Sequence, residues 1–265
     1  MLICIDAGHY LGTPGKRCLK SIDPVETREW TLNARIADKL QDRLKPYRCE
    51  TMRVDDITGA REITLSQRVA AANSAGADLY LSIHHNAGVM GGSGGGIVVF
   101  TAPGASKQSR VVQKAVYEHT VAATGLRGNR ANPTPEAGYY VLKHTAMPAV
   151  LGEFGFMDSA TDTPIILTEE YADRVAEGIA AALVEVYKLE EVEILEEQRI
   201  RAIVREELAE VEAQRAKLPA SSWAKPLIEE AKALKITDSG ERPRSSPTRE
   251  ECIAMSLAAY RAARQ

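Results

Sequence analysis

The feature that most constrains this chain is an alternation. Over residues 1–187, short apolar runs of β-type composition take turns with longer stretches whose apolar residues recur at helical spacing. A chain written that way folds as an α/β structure, with helices flanking a mixed, mostly parallel sheet. The strand candidates are residues 2–6, 47–54, 78–83, 96–100, 139–142 and 149–153. The helix candidates are 30–44, 65–75, 106–124 and 168–187. The glycine run at 91–96, with Ser93 inside it, reads as a flexible connection. It is no phosphate cradle, because the lysine and Ser/Thr of a P-loop are missing.

The texture changes after that. From Ile179 to Leu218 there is neither glycine nor proline, and Glu, Arg, Leu, Ala and Val dominate, which predicts one long helix. Ile200, Val204, Leu208 and Val211 share a stripe, but Leu189, Val192 and Leu195 upstream are out of step with it. A connecting helix and a dimer seam both remain open. Pro219 stops the helix, and residues 220–265 read as a small terminal unit. Ser221 or Ser222 can cap a helix from Trp223 to Leu234, a polar turn passes through Asp238, Gly240, Pro243 and Pro247, and Thr248 with Glu251 forms a capping box for a last helix to Ala263. So short a unit has little core of its own and is expected to lean on a partner surface. The predicted organisation is therefore a domain over 1–187, a helical linker over 188–217 and a small helical domain over 218–265.

Composition narrows the chemistry. In a chain of 265 residues, 45% hydrophobic content is enough to bury a real core, and a formal net charge of -3 offers no basic excess for nucleic acid. Cys4, Cys18, Cys49 and Cys252 show no C-x-x-C spacing, which argues against a cysteine zinc knuckle or a disulfide framework. Cys4 lies in an apolar run and reads as a small buried thiol. No stretch has the apolar length of a membrane span.

Three polar residues stand where apolar runs give out: His9 after the first strand, His84 after residues 79–83, and Glu153 after residues 149–152. Ligands of open α/β sheets collect beyond the carboxyl ends of strands, so three segments direct metal-type or acid/base side chains to one sheet edge. Two imidazoles and a carboxylate suit zinc, and a catalytic zinc takes three protein ligands with one position open. Glu26 and Glu29, on the segment entering the first helix, can supply the third. Each residue also has a structural explanation. A histidine at a strand end can be a hydrogen-bonded core residue, and glutamates at a helix start favour its dipole. Glu153 is harder to explain so, because Val150, Leu151, Phe154 and Phe156 surround it and an unpaired carboxylate is costly there. His85 points to the other side of its strand from His84, and His119 and His144 have no comparable setting.

These residues fall into recognisable motifs. Asp6-Ala7-Gly8-His9 matches D-x-G-H, Ser82-Ile83-His84-His85-Asn86-Ala87 matches S-x-H-x-N-A, and Pro148 to Phe156 matches P-A-v-L-x-E-x-G-F. Leu65, Arg68 and Asn73 fit L-x-x-R-x-x-x-x-N, and Glu29 stands four residues before Asn33 in the register of a ligand glutamate. With all five in order over residues 1–187, the chain resembles the zinc amidases of bacterial cell-wall turnover and phage lysis called amidase type 3. Two departures stand out. Tyr10-Leu11 replaces the glycines that often follow the first histidine, and Val25 to Arg28 replaces a glycine-led turn before Glu29, which keeps Glu26 open as the ligand.

The resemblance implies one Zn2+ per chain held by His9, Glu29 and His84, with Glu153 as catalytic base. It implies hydrolysis of the amide between N-acetylmuramic acid and L-alanine of peptidoglycan. A zinc carboxypeptidase or deacetylase of the same polymer, and a non-enzymatic wall-binding protein, are the rival readings. Trp223 to Pro226, Ile236 to Gly240, Arg242-Pro243 and Thr248 to Glu251 resemble one unit of an S-layer-homology-like segment; the basic Lys225, Arg242, Arg244 and Arg249 point to an anionic wall polymer as partner, and the alternative is a helical hairpin that closes the fold or pairs two chains. The N-terminus lacks the basic start and cleavage site of a signal peptide. The expectation is a phage or prophage endolysin, made in the cytoplasm and acting on the wall after release.

Overall fold

Parallel strands covered on both faces must be apolar on both sides, and residues 3–5, 79–81 and 149–151 are apolar and buried throughout. The computed structural model describes residues 1–192, 204–210, 225–233 and 253. The chain divides into two units, Met1–Glu193 and Ile194–Gln265. The first contains, in order, β1 (Leu2–Ala7), α1 (Glu29–Leu44), β2 (Glu50–Arg53), α2 (Leu65–Ser74), β3 (Leu79–Asn86), β4 (Ile97–Phe100), α3 (Lys107–Thr124), α4 (Tyr140–His144), β5 (Ala149–Phe156), α5 (Thr163–Ile166) and α6 (Glu169–Tyr187).

The sheet order is β2-β1-β3-β5-β4, parallel throughout except for β4, which runs antiparallel to β5 at one edge. Because side chains alternate along a strand, each strand feeds two cores. Ile3, Ile5, Leu79, Leu81, Ile83, Val150 and Phe154 join α1, α3 and α6 on one face. Cys4, Tyr80, Val98, Phe100, Ala149 and Leu151 join Val69 and Ala72 of α2 and Val141 and Leu142 of α4 on the other.

Local signals set the helix ends. Leu32, Ile36, Leu40 and Leu44 repeat every four residues, and all are buried, so α1 presents one apolar stripe to the sheet. Each contributes about 1.5–3 kcal/mol by burial. Pro46 prevents the helix from continuing beyond Lys45. α2 opens on a capping box formed by Thr64 and Gln67, and Gly125 closes α3 in the left-handed conformation. Asn73 ties α2 to the segment before β5, donating to His144 O at 3.0 Å and accepting from Ala146 N at 2.8 Å.

The structure corrects the sequence reading at three places. Residues 139–142 are not a strand: Tyr139 caps the short helix α4. Val141 and Leu142 are adjacent and both buried in the same core cluster, which a helical turn permits and the alternation of a strand forbids. The second strand is also shorter than predicted, Glu50–Arg53, because Tyr47 bridges to Glu191 and Arg48 N donates to Glu190 O, which keeps these residues out of the sheet. The long helix expected from Ile179 breaks at Lys188, whose φ of 51° is left-handed. There the chain turns back to pair with the end of α1: Arg48 N donates to Glu190 O at 2.8 Å and Val192 N to Pro46 O at 2.6 Å. Leu189 packs against the core as it does so, a tertiary gain that outweighs local helix propensity.

In the second unit, residues 204–210 are helical with Val204 and Leu208 exposed, and Lys225–Ala233 form a helix inside the predicted 223–234 span. Ile200, Val211, Trp223, Gly240, Thr248 and Glu251, which carry the remaining expectations for the linker and terminal domain, lie outside the described residues. Among the described residues, no helix is long and apolar enough to cross a membrane.

Candidate active site

β1 ends by delivering a histidine at an unusual backbone angle. His9 has a φ of 68°, a left-handed conformation that costs a non-glycine residue roughly 1–2 kcal/mol. The residue before it must be glycine for a different reason: a Cβ on Gly8 would lie 2.0 Å from Cε1 of His84. The two imidazoles therefore meet edge to face, with ring centroids 4.9 Å apart and planes at 89°.

α1 supplies the third group. Glu29 is its first residue and is completely buried. Its Oε1 accepts from the His85 backbone N–H at 3.2 Å and lies 3.1 Å from His84 Nδ1, while Oε2 lies 3.3 Å from His9 Nε2. One donor atom from each of His9, Glu29 and His84 falls within 4.8 Å of the others. Burial pushes the Glu29 carboxyl up, but the two imidazoles outweigh it and hold the group well below its ordinary range. Burial lowers His9. On His84 the same effect of burial is overturned by Glu29, Glu153 and Asp6, which raise it.

Glu153 sits beside His84 in the register of β3 and β5. Both strands continue past these residues, so neither marks a strand end as the sequence suggested. They are internal positions whose even spacing from Asp6, Ser82 and Leu151 puts them on the α2/α4 face. The Glu153 Oε2 is buried without a hydrogen-bond partner. Burial, with Glu29 adding repulsion, pushes this carboxyl up to about 7 despite the opposing pull of His84, Lys16 and Arg130. His9, His84 and Glu153 line one cleft of about 480 Å³, together with Tyr10, Thr13, Lys16, Glu62, Tyr139 and Tyr140, and Glu29 lies buried behind the two histidines.

The remaining candidates fall elsewhere. Glu26 occupies a left-handed turn and pairs with Arg17 at 3.1 Å and Lys20 at 3.8 Å. His85 faces the α1 side, where burial lowers it to about 3 and its Nδ1 lies 2.8 Å from Asn33 Oδ1. His119 pairs with Glu185 at 2.8 Å, and His144 stacks on Tyr140. The sequence reading missed Lys16, whose Nζ lies 3.5 Å from Glu29 Oε2. Its placement comes from the bridge between Arg17 and Arg28 and from Glu29 N donating to Lys16 O, pairings with no local motif.

The donor set fits a metal ion. His9 Nε2 and Glu29 Oε2 are buried and 3.3 Å apart without a hydrogen bond of adequate geometry, with the Lys16 ammonium 3.5 Å from the carboxylate oxygen, and a cation held between imidazole and carboxylate would satisfy both. Two imidazoles and one carboxylate are the ligand chemistry of a catalytic divalent site.

A family model described as N-acetylmuramoyl-L-alanine amidase matches residues 3–185. The chain is 31% identical over 189 residues to the N-acetylmuramoyl-L-alanine amidase CwlM of Bacillus licheniformis, covering 71% of this chain and 69% of that protein. It is 34% identical over 131 residues to the endolysin of Bacillus phage SPP1, covering 47% of this chain and 46% of the endolysin. Among solved structures, an N-acetylmuramoyl-L-alanine amidase from Clostridium difficile 630 superposes with a TM-score of 0.63 at 28% identity, covering 71% of this chain and 96% of the other. The match spans the whole sheet and every element that carries the cleft, and the chain belongs to the N-acetylmuramoyl-L-alanine amidase family, enzymes that cleave peptidoglycan.

Proposed function

We propose that this amidase works with a single zinc ion held by His9, Glu29 and His84, and that Glu153 is its general base. The observation that carries the reading is the convergence of donor atoms from His9, Glu29 and His84 within 4.8 Å of one another, beside the buried, unpartnered Oε2 of Glu153 at a cleft that His9, His84 and Glu153 line. Zinc, when bound, supplies the Lewis acidity that makes water a competent nucleophile near neutral pH and polarises the scissile carbonyl. Glu29 serves as a ligand because it is already ionised, held so by the two imidazoles.

Glu153 handles the proton. With burial raising it to about 7, its carboxylate takes a proton from the attacking water and the resulting acid is strong enough to return it. The water oxygen bonds to the lactyl carbonyl carbon, the carbon–nitrogen bond breaks, and the proton held by Glu153 goes to the departing amine of L-alanine. Tyr10, Lys16, Tyr139 and Tyr140 on the cleft wall offer polar and aromatic surface to the glycan and the stem peptide. T-shaped packing on Phe100 at 5.2 Å and stacking on His144 at 4.0 Å hold the last two rings in place.

The similarity to a phage endolysin supports a lytic role on the bacterial wall. Two measurements test the proposal together. Metal analysis should find about one zinc per chain. Mass spectrometry of digested peptidoglycan should find free stem peptides that begin at L-alanine beside intact glycan strands. Stem peptides shortened at their carboxyl end, or strands that have lost only acetyl groups, would replace the amidase reading with a rival one.

A further inference from the structure

Three successive carbonyls at the exit of β1 are each held by a side chain from a helix. The Arg68 guanidinium, on α2, donates from Nη1 to Ala7 O at 2.8 Å and from Nη2 to His9 O at 2.7 Å. Between them, Gly8 O accepts from Asn33 Nδ2 of α1 at 3.1 Å. α1 and α2 pack on opposite faces of the sheet, so the turn is gripped from both sides. From this we infer that Arg68 and Asn33 are positioning residues that act through His9, fixing its left-handed backbone so that its imidazole meets Glu29 and His84. The inference rests on reading His9 as a metal ligand.

The chemistry of Arg68 is matched to that task. The residue is 2% exposed, and its charge is balanced by the buried Asp6, with which it forms a short ion pair. The other Asp6 oxygen is also used, accepting from Tyr80 Oη at 2.8 Å and Ser82 Oγ at 2.7 Å. Arg68 Nε donates to Ile63 O at 2.8 Å, which fixes the guanidinium plane at the start of α2. Neutralising Asp6 alone would need one positive charge, and a lysine would serve. Reaching an aspartate and three carbonyls from one planar group needs the guanidinium fork. Asn33 stands one turn after Glu29, so a single helix carries both the carboxylate of the cluster and half of the clamp. A φ of 68° is uncommon for any residue but glycine, and the three held carbonyls around His9 are the contacts that fix it there.

The test measures zinc affinity of the full chain by competition with a chromophoric chelator, in the wild type, R68K, H9A, the H9A/R68K double variant and V175A. Val175 is buried in the core on the α1/α3/α6 side and lines no part of the cleft, so V175A reports the effect of lost stability alone. Loss of an outer partner of a ligand commonly weakens metal binding roughly 10- to 100-fold, and that is the expected effect of R68K. In the H9A background the same change should have no further effect, because the residue it positions is gone. Equal fold-losses from R68K with and without His9, or a loss no larger than that of V175A, would overturn the clamp. If H9A itself binds zinc as the wild type does, the ligand reading falls instead, and the two failures are thereby distinguished. Should R68K not yield folded protein, N33A carries the same comparison while leaving the Asp6–Arg68 pair intact. Unchanged affinity in N33A would count against the clamp in the same way.

Discussion

Glu29 is wholly buried at the start of α1, whereas Glu26, three residues earlier, sits in a turn and is paired to Arg17 and Lys20. The sequence left both open as ligands, because each lies near the helix entry and only the folded backbone shows which one reaches the histidines. Glu29→Ala is expected to weaken zinc binding by orders of magnitude, and Glu26→Ala to leave it near the wild-type value. Titration against a chelator checks both, and the reverse order would displace Glu29. Glu153 makes a separate prediction. A general base acts only when ionised, so activity should fall as pH drops through its pKa. Burial sets that pKa at about 7, and a bound cation nearby pulls it lower, which places the acid limb at or below about pH 7. Glu153→Gln should retain zinc, lose turnover by roughly 100- to 10,000-fold and abolish that limb. A variant that keeps the same acid limb would assign it to another group.

At the scale of elements, the sheet is rigid because helices press close on it, and closeness has its own sequence requirement. α6 crosses α3 at Gly178, where a Cβ would lie 2.6 Å from the Thr120 Cα and 2.9 Å from the His119 carbonyl oxygen. These are backbone atoms of a helix and cannot move alone. Gly178→Ala should therefore destabilise the protein by about 1–3 kcal/mol, the usual effect of overpacking, despite the better helix propensity of alanine. The zinc affinity of the folded fraction should not change. A melting temperature at or above the wild type would show that α3 and α6 can part without loss. The same scale explains the misread segment at 139–142. Tyr-Tyr-Val-Leu has the composition of a strand, but the edge beside β5 is already taken by β4, and two adjacent buried side chains on one face require a helical turn.

For the whole molecule, the first unit extends to Glu193 rather than to the end of α6, since residues 190 and 192 bond back to the end of α1. A truncation after Tyr187 would strip those bonds, so the informative variant ends after Glu193. If the remaining residues direct the enzyme to the wall, this shortened protein should hydrolyse a small soluble muropeptide at a near-normal rate but clear intact walls poorly, having lost local concentration at the surface. Salt should weaken wall clearance by the full chain more than by the truncated one, because exposed charge attraction is screened. Equal wall clearance by the two proteins would remove the targeting role.

Apolar periodicity and residue identity were enough to determine an α/β layer fold, most of its strands and helices, and His9, His84, Glu153 and either Glu26 or Glu29 as site candidates, with Glu29 favoured by the family resemblance. These are readable because hydrophobic pattern encodes which face is buried, and imidazoles and carboxylates that interrupt apolar runs stand out as metal and acid/base groups. Only the tertiary structure set Glu29 beside the two histidines and Glu26 apart from them, broke the long helix at Lys188, and brought Lys16 to the cluster and Arg68 to Asp6. Each of those outcomes depends on groups meeting across the fold: Arg68 stands 62 positions from Asp6 in sequence, and its contacts leave no periodic or local trace for a linear reading to find.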